Sequence, residues 1–103
     1  MDANVEQQLI LRFSLATFLE SVRLYEEGIA SVEDIDIAMR AGAGLPQGPF
    51  QWADTRGLDV VLQDLEQLAK TLGPRFSPPQ SLQDLVARGW VGKASGQGYL
   101  SHS

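Results

Sequence analysis

His102 is the only histidine in the 103 residues and stands one residue from the end of the sequence. An imidazole working as a general base has to be held by an orienting partner. A side chain so near a terminus is expected to fray, and no catalytic role is assigned to it. Cysteine is absent, which removes thiol nucleophiles, thiolate metal sites and disulfides. Glu33, Asp34 and Asp36 could suggest a metal, but a calcium loop alternates its oxygens around a glycine turn. Here the carboxylates crowd the first turn of a helix, where the helix dipole favours negative charge, and no metal is expected. Gly42, Gly44 and Gly48 lack the G-x-G-x-x-G spacing of a dinucleotide loop and follow a helix, not a strand. They read as a helix stop and a tight turn, with Pro46 and Pro49 each fixing a φ angle. Lys93 stands alone in a glycine-rich tail, too little for a phosphate site. Trp52 and Trp90 read as core or interface aromatics. No catalytic, cofactor-binding or metal-ligating residue is assigned.

Charge narrows the partners. The net charge is -5 and the eight Lys and Arg residues are scattered. Phosphate backbones and anionic lipid surfaces need clustered basic residues, so neither nucleic acid nor a membrane is expected to bind. The longest apolar candidate, Leu9–Leu24, is interrupted by Arg12, Glu20 and Arg23 and falls short of a span of about 20 residues. MDANVEQQ carries no basic stretch ahead of an apolar core, so no signal peptide is read there. With the lack of cysteine, this makes a cytoplasmic location the expectation.

Positioning falls to helices. Residues 3–27 contain no Gly or Pro and read as one long helix. Its apolar residues, from Val5 to Tyr25, occupy nearly the whole circumference at 100° per residue. Ser31 with Asp34 three residues on is a capping pattern for a second helix at 32–41, in which Ile35, Ala38 and Met39 share a face. After the turn at 42–49, a short helix covers 50–55. Leu58, Val61, Leu62, Leu65, Leu68, Ala69 and Leu72 keep helical spacing over 58–72. Ser81 with Asp84 repeats the capping pattern and opens a short helix at 82–89. The GKASGQG tail is irregular, with Tyr99 and Leu100 folding back onto the core. No strand alternation is convincing, so the chain reads as an all-α bundle of about five helices in a single domain, 1–103.

The stretch EGIASVEDIDIAMRAGAGLPQGPFQWADTRGLD, residues 27–59, resembles the C-terminal domain of the 3-hydroxyacyl-CoA dehydrogenases, which oxidise a β-hydroxyacyl-CoA with NAD. The similarity runs back through LESVRLYEEG to Leu11 and forward through Pro78, Ser81 and Leu82 to GKASGQGYL. Nothing in the sequence corresponds to the family's nucleotide-binding half, where the catalytic His and Glu lie. The resemblance therefore implies NAD only through a partner domain. Family members carry an Asn-Arg pair early in the first helix of this domain, and the Asn helps hold the substrate carbonyl. Counting back from LESVRLYEEG places that pair on Leu11 and Arg12, and a leucine cannot donate to a developing oxyanion. The departure is similar to the second, non-catalytic copy in members whose C-terminal domain is duplicated. By resemblance, Pro46, Gln47, Pro49 and Phe50 lie near the acyl substrate.

Three functions follow as expectations. The leading one is an interaction domain that forms a homodimer and complements a separate NAD-binding dehydrogenase subunit. The second is a part or subunit of an active NAD-dependent 3-hydroxyacyl-CoA dehydrogenase of fatty-acid metabolism, contributing its acyl pocket. The third is an acyl-CoA binder without catalysis. The dimer expectation rests on the first helix. One side can pack on residues 32–41 and 58–72, and the other, drawn from Leu9, Phe13, Phe18 and Leu24, is left for a second chain. The family's use of this domain for its dimer contact points the same way.

Overall fold

The computed structural model describes residues 1–102. Five helices follow in order: α1 (Ala3–Glu26), α2 (Val32–Ala43), α3 (Pro49–Arg56), α4 (Leu58–Leu72) and α5 (Gln80–Ala87), with 3-10 turns at Pro74–Phe76 and Lys93–Ser95. Among the described residues the only β pairing is two isolated bridges in the tail, Gly92 with Gln97 and Gln97 with Ser101. The all-α expectation holds.

Local signals explain most boundaries. Asp2 caps α1, its side chain accepting from the Asn4 N–H at 2.7 Å. At the other end Gly28 N–H bonds Tyr25 O and Ile29 N–H bonds Leu24 O, the paired bonds of a Schellman turn. Ser31 Oγ accepts from Asp34 N–H at 3.1 Å and starts α2 as its spacing foretold. Gly42 does not stop α2. The helix runs through it to Ala43, and Gly44, at φ 69°, is the stop. The second capping pattern fails. α5 starts at Gln80 behind Pro79, and Ser81 is engaged elsewhere: its N–H donates to Glu26 at 3.0 Å and its Oγ pairs with Tyr99 OH at 2.7 Å.

The core gathers Leu15, Phe18, Leu19 and Val22 of α1 with Phe50 and Ala53 of α3 and Leu58, Val61 and Leu65 of α4, and Leu82 closes it from α5. The short α3 is the hub, packed on α1, α2 and α4. α2 packs on α1 as the spacing predicts and α4 meets it at Leu11 and Leu15, but the central cover is α3, whose fully buried Phe50 sits beside Phe18 with ring centroids 6.1 Å apart. Only the second half of α1 is enclosed. In its first half Val5, Leu9, Ile10 and Phe13 are 46%, 53%, 58% and 63% exposed.

Candidate functional site

An apolar groove of about 220 Å³ lies where α1 passes the turn into α3. Ile10, Phe13, Ser14 and Thr17 form one wall, and Leu45, Pro46, Gln47, Pro49 and Trp52 the other. Three of the four residues singled out from the turn meet here. Phe50 does not. It is fully buried, packed on Phe18 and, at 4.9 Å between centroids, on Tyr99. The cause is helical phase: Pro49 and Trp52, three apart, share the groove face, while Phe50 is turned about 100° away.

Phase also corrects the surface of α1. Leu9 and Phe13 are exposed, and Phe13 rims the groove. Phe18 is fully buried in the chain's own core, and Leu24 is half-buried against it. Neither Phe18 nor Leu24 belongs to a free surface. Val5 and Ile10 take their places beside Leu9 and Phe13. A helix apolar all round gives no phase by which the sequence could separate these groups.

The turn that builds the groove is held by Asp36. Its carboxylate accepts from Phe50 N–H at 2.8 Å and Gln51 N–H at 2.9 Å, capping α3 from α2. Gly48 lies so close that a Cβ there would overlap this carboxylate. Asp36 is therefore more than a first-turn charge. Burial raises its pKa above the ordinary carboxylate value. The two backbone donors oppose the rise, Asp54 adds to it and Arg40 opposes it.

Asp54 does the matching work on the far face of α3. It is 1% exposed and accepts from Tyr99 N–H at 3.0 Å, Leu100 N–H at 2.9 Å and, through Oδ2, His102 Nε2 at 2.7 Å. The terminal histidine is thus not frayed, since a buried carboxylate holds it with its side chain only 16% exposed. Tyr99 fills the space over Phe18 and Phe50, and burial pushes its hydroxyl well above the ordinary tyrosine range. The carboxylate–imidazole pair has the form of a catalytic dyad, but it lines neither the groove nor the hollows beside Trp90 and Leu11. No signal in the sequence linked positions 54 and 102.

Leu11 is half-buried and faces α4, in a hollow with Arg12, Leu15, Asp64 and Leu68, apart from the groove. Its leucine packs there. Lys93 is exposed. Among the described residues, no three His, Asp or Glu side chains gather as metal ligands would, and no helix is long and apolar enough to cross a membrane.

Residues 10–102 match the family model of the 3-hydroxyacyl-CoA dehydrogenase C-terminal domain. Hydroxyacyl-coenzyme A dehydrogenase, mitochondrial, from Mus musculus is 39% identical over 97 residues, covering 91% of this chain and 31% of that protein. The Sus scrofa protein of the same name is 40% identical over 96 residues, with the same coverage of 91% and 31%. Among solved structures, (S)-3-hydroxybutyryl-CoA dehydrogenase from Ralstonia eutropha superposes with a TM-score of 0.84 at 33% identity, covering 89% of this chain and 33% of that one. 3-Hydroxybutyryl-CoA dehydrogenase from Escherichia coli gives 0.83 at 35% identity, covering 89% and 20%. The chain spans about a third of the length of the curated relatives it matches, 31% in both cases.

Proposed function

This chain belongs to the 3-hydroxyacyl-CoA dehydrogenase C-terminal domain family, and from that premise we propose that it is an association domain. Its partner is a second copy of the same domain, received on the first half of α1 and along the groove. One observation carries this reading. Val5, Leu9, Ile10 and Phe13 form an exposed apolar row that continues into Leu45, Pro46 and Trp52 across the groove. Single exposed apolar residues are ordinary, but a contiguous patch marks an interaction surface. A two-fold axis covers it with one self-complementary contact. Burial at about 25 cal/mol per Å² favours such pairing. Light scattering at micromolar concentration should read twice 11.2 kDa. A well-folded monomer at that concentration contradicts the proposal.

The domain does not carry out the family's oxidation alone. It offers Leu11 where a carbonyl-holding amide is expected, its one imidazole is tied to Asp54, and NAD enters only through a partner domain. In this reading it corresponds to a second, non-catalytic copy. Calorimetry should detect no micromolar NAD binding, and the purified chain should not turn over a 3-hydroxyacyl-CoA. Either signal overturns this part.

A second reading gives the groove to an acyl chain shared with a separate NAD-binding dehydrogenase subunit. The gathering of Pro46, Gln47 and Pro49 on an apolar wall favours it. At about 220 Å³ the groove is smaller than the roughly 300–1,000 Å³ of pockets that enclose a ligand. That supports a docking surface, or one wall of a shared pocket, over a stand-alone acyl-CoA site. A cytoplasmic setting goes with both readings. Tight acyl-CoA binding by the chain alone would favour the third possibility, an acyl-CoA binder, over both.

A further inference from the structure

Residues 92–102 form a strap whose only helical element is the turn Lys93–Ser95. Even so, it is fastened to three helices. Asp54 of α3 accepts the Tyr99 and Leu100 N–H groups and His102 Nε2. Tyr99 OH meets Ser81 of α5 at 2.7 Å, and its ring packs edge-on to Phe18 of α1 at 5.8 Å. The approach is close enough to demand glycine. A Cβ at Gly98 would overlap the Asp54 carboxylate, and one at Gly92 the Asp54 backbone.

The strap lies behind the groove. Phe50 and Asp54, four apart on α3, face the core and the strap, while Pro49 and Trp52 face the groove. α3 has only eight residues and cannot hold a stable attitude by its own hydrogen bonds. Asp36 fixes its first turn. Its last turn is held by the Asp54 contacts, and just beyond it Leu58 N–H, opening α4, donates to Val91 O at 2.8 Å.

We propose that residues 92–102 are a latch that sets the shape of the groove. With His102 on Asp54, α3 is clamped at both ends and Trp52 is held against the α1 wall. With His102 released, the strap keeps only the Tyr99 and Leu100 N–H bonds to Asp54, its hold loosens and α3 relaxes, carrying Trp52 with it. The groove's readiness for any occupant then depends on side chains on the opposite face of α3. The latch acts on the shape of the groove, whichever occupant the groove takes.

The test uses a reference chain carrying Leu9→Asp, at an exposed position that does not line the groove, and Trp90→Phe. The first change keeps association from covering Trp52, so failure of the docking proposal leaves the result readable. The second leaves Trp52 as the sole tryptophan of the two. Adding His102→Ala should speed amide exchange at Tyr99 and Leu100 by about tenfold, as expected for loss of one charge-assisted hydrogen bond. Acrylamide quenching of Trp52 should rise in parallel, with Val22 and Leu65 amides unchanged. His102→Gln, which keeps a donor, should restore both readouts at least in part. Faster exchange in the strap with unchanged Trp52 quenching would reduce the strap to a plug and overturn the latch. Unchanged exchange at Tyr99 and Leu100 would overturn it as well.

Discussion

The two halves of α1 have similar compositions and opposite fates. From Leu15 to Val22 the helix is enclosed by α2 and α3 of its own chain, and Phe18 is fully buried. From Val5 to Phe13 it carries equally large apolar side chains, and Phe13 is 63% exposed. Two phenylalanines five residues apart on one helix therefore meet different surroundings, one the chain's own core and the other the open rim of the groove. Hydrophobic content alone does not distinguish a core from an interface. The phase of each residue and the reach of the rest of the chain do.

That contrast can be tested by substitution. The largest effect should come from Phe18→Ala, at about 3–5 kcal/mol lost in urea unfolding, because a large cavity opens beside Phe50 and Tyr99. A cost near zero would mean that the second half of α1 is not core. Next is the turn that builds the wall opposite Phe13. Gly44 sits at φ 69°, where a β-branched side chain is strained, so Gly44→Val should cost about 1–3 kcal/mol. Pro49 opens α3 and lines the groove. Pro49→Ala should cost only about 0.4–1 kcal/mol, chiefly by freeing the unfolded chain, and should weaken association more than it weakens the fold. Equal stability of the parent and both turn variants would show that the turn does not organise this half of the molecule.

The smallest effect is on pH dependence. Burial raises the pKa of Asp36 in the folded state above the ordinary aspartate value of 3.8. The folded state then binds this proton more readily than the unfolded chain, so the contribution of Asp36 runs opposite to that of a salt-bridged aspartate. Its share of stability should grow as pH falls through the raised folded pKa and be complete below 3.8. Urea unfolding of the parent and of Asp36→Asn at two pH values isolates it. The parent should gain on the variant as the pH is lowered, and a parent that loses ground would reverse the sign.

What the sequence revealed follows from how local each cause is. The helices, the Ser31 cap and the Gly44 stop depend on neighbours within a turn or two and were legible. Gly42 misled because two glycines in a row of three positions offer two stops, and only the second takes the left-handed conformation. Pro46, Gln47 and Pro49 were legible as a group because a tight turn keeps them together. Phe50 and Phe18 were misplaced for the same reason. Placing a side chain on the inner or outer face of a helix needs the axis of its neighbour, and an apolar pattern on all sides carries no direction. Asp54 and His102 were illegible, because 48 positions separate them and no periodicity joins them. Glycines at 92 and 98 were visible only as irregularity, whereas their role is to let the strap lie against Asp54.

The most direct test of the account is sedimentation equilibrium of the parent chain beside Phe13→Asp, with the unfolding stability of both measured in parallel. The parent should have twice 11.2 kDa at micromolar concentration. The Phe13→Asp variant should have the single-chain mass, with stability within about 0.5 kcal/mol of a parent brought to monomer by dilution, as befits an exposed position. A monomeric, well-folded parent, or a Phe13→Asp variant that still pairs as the parent does, would contradict it.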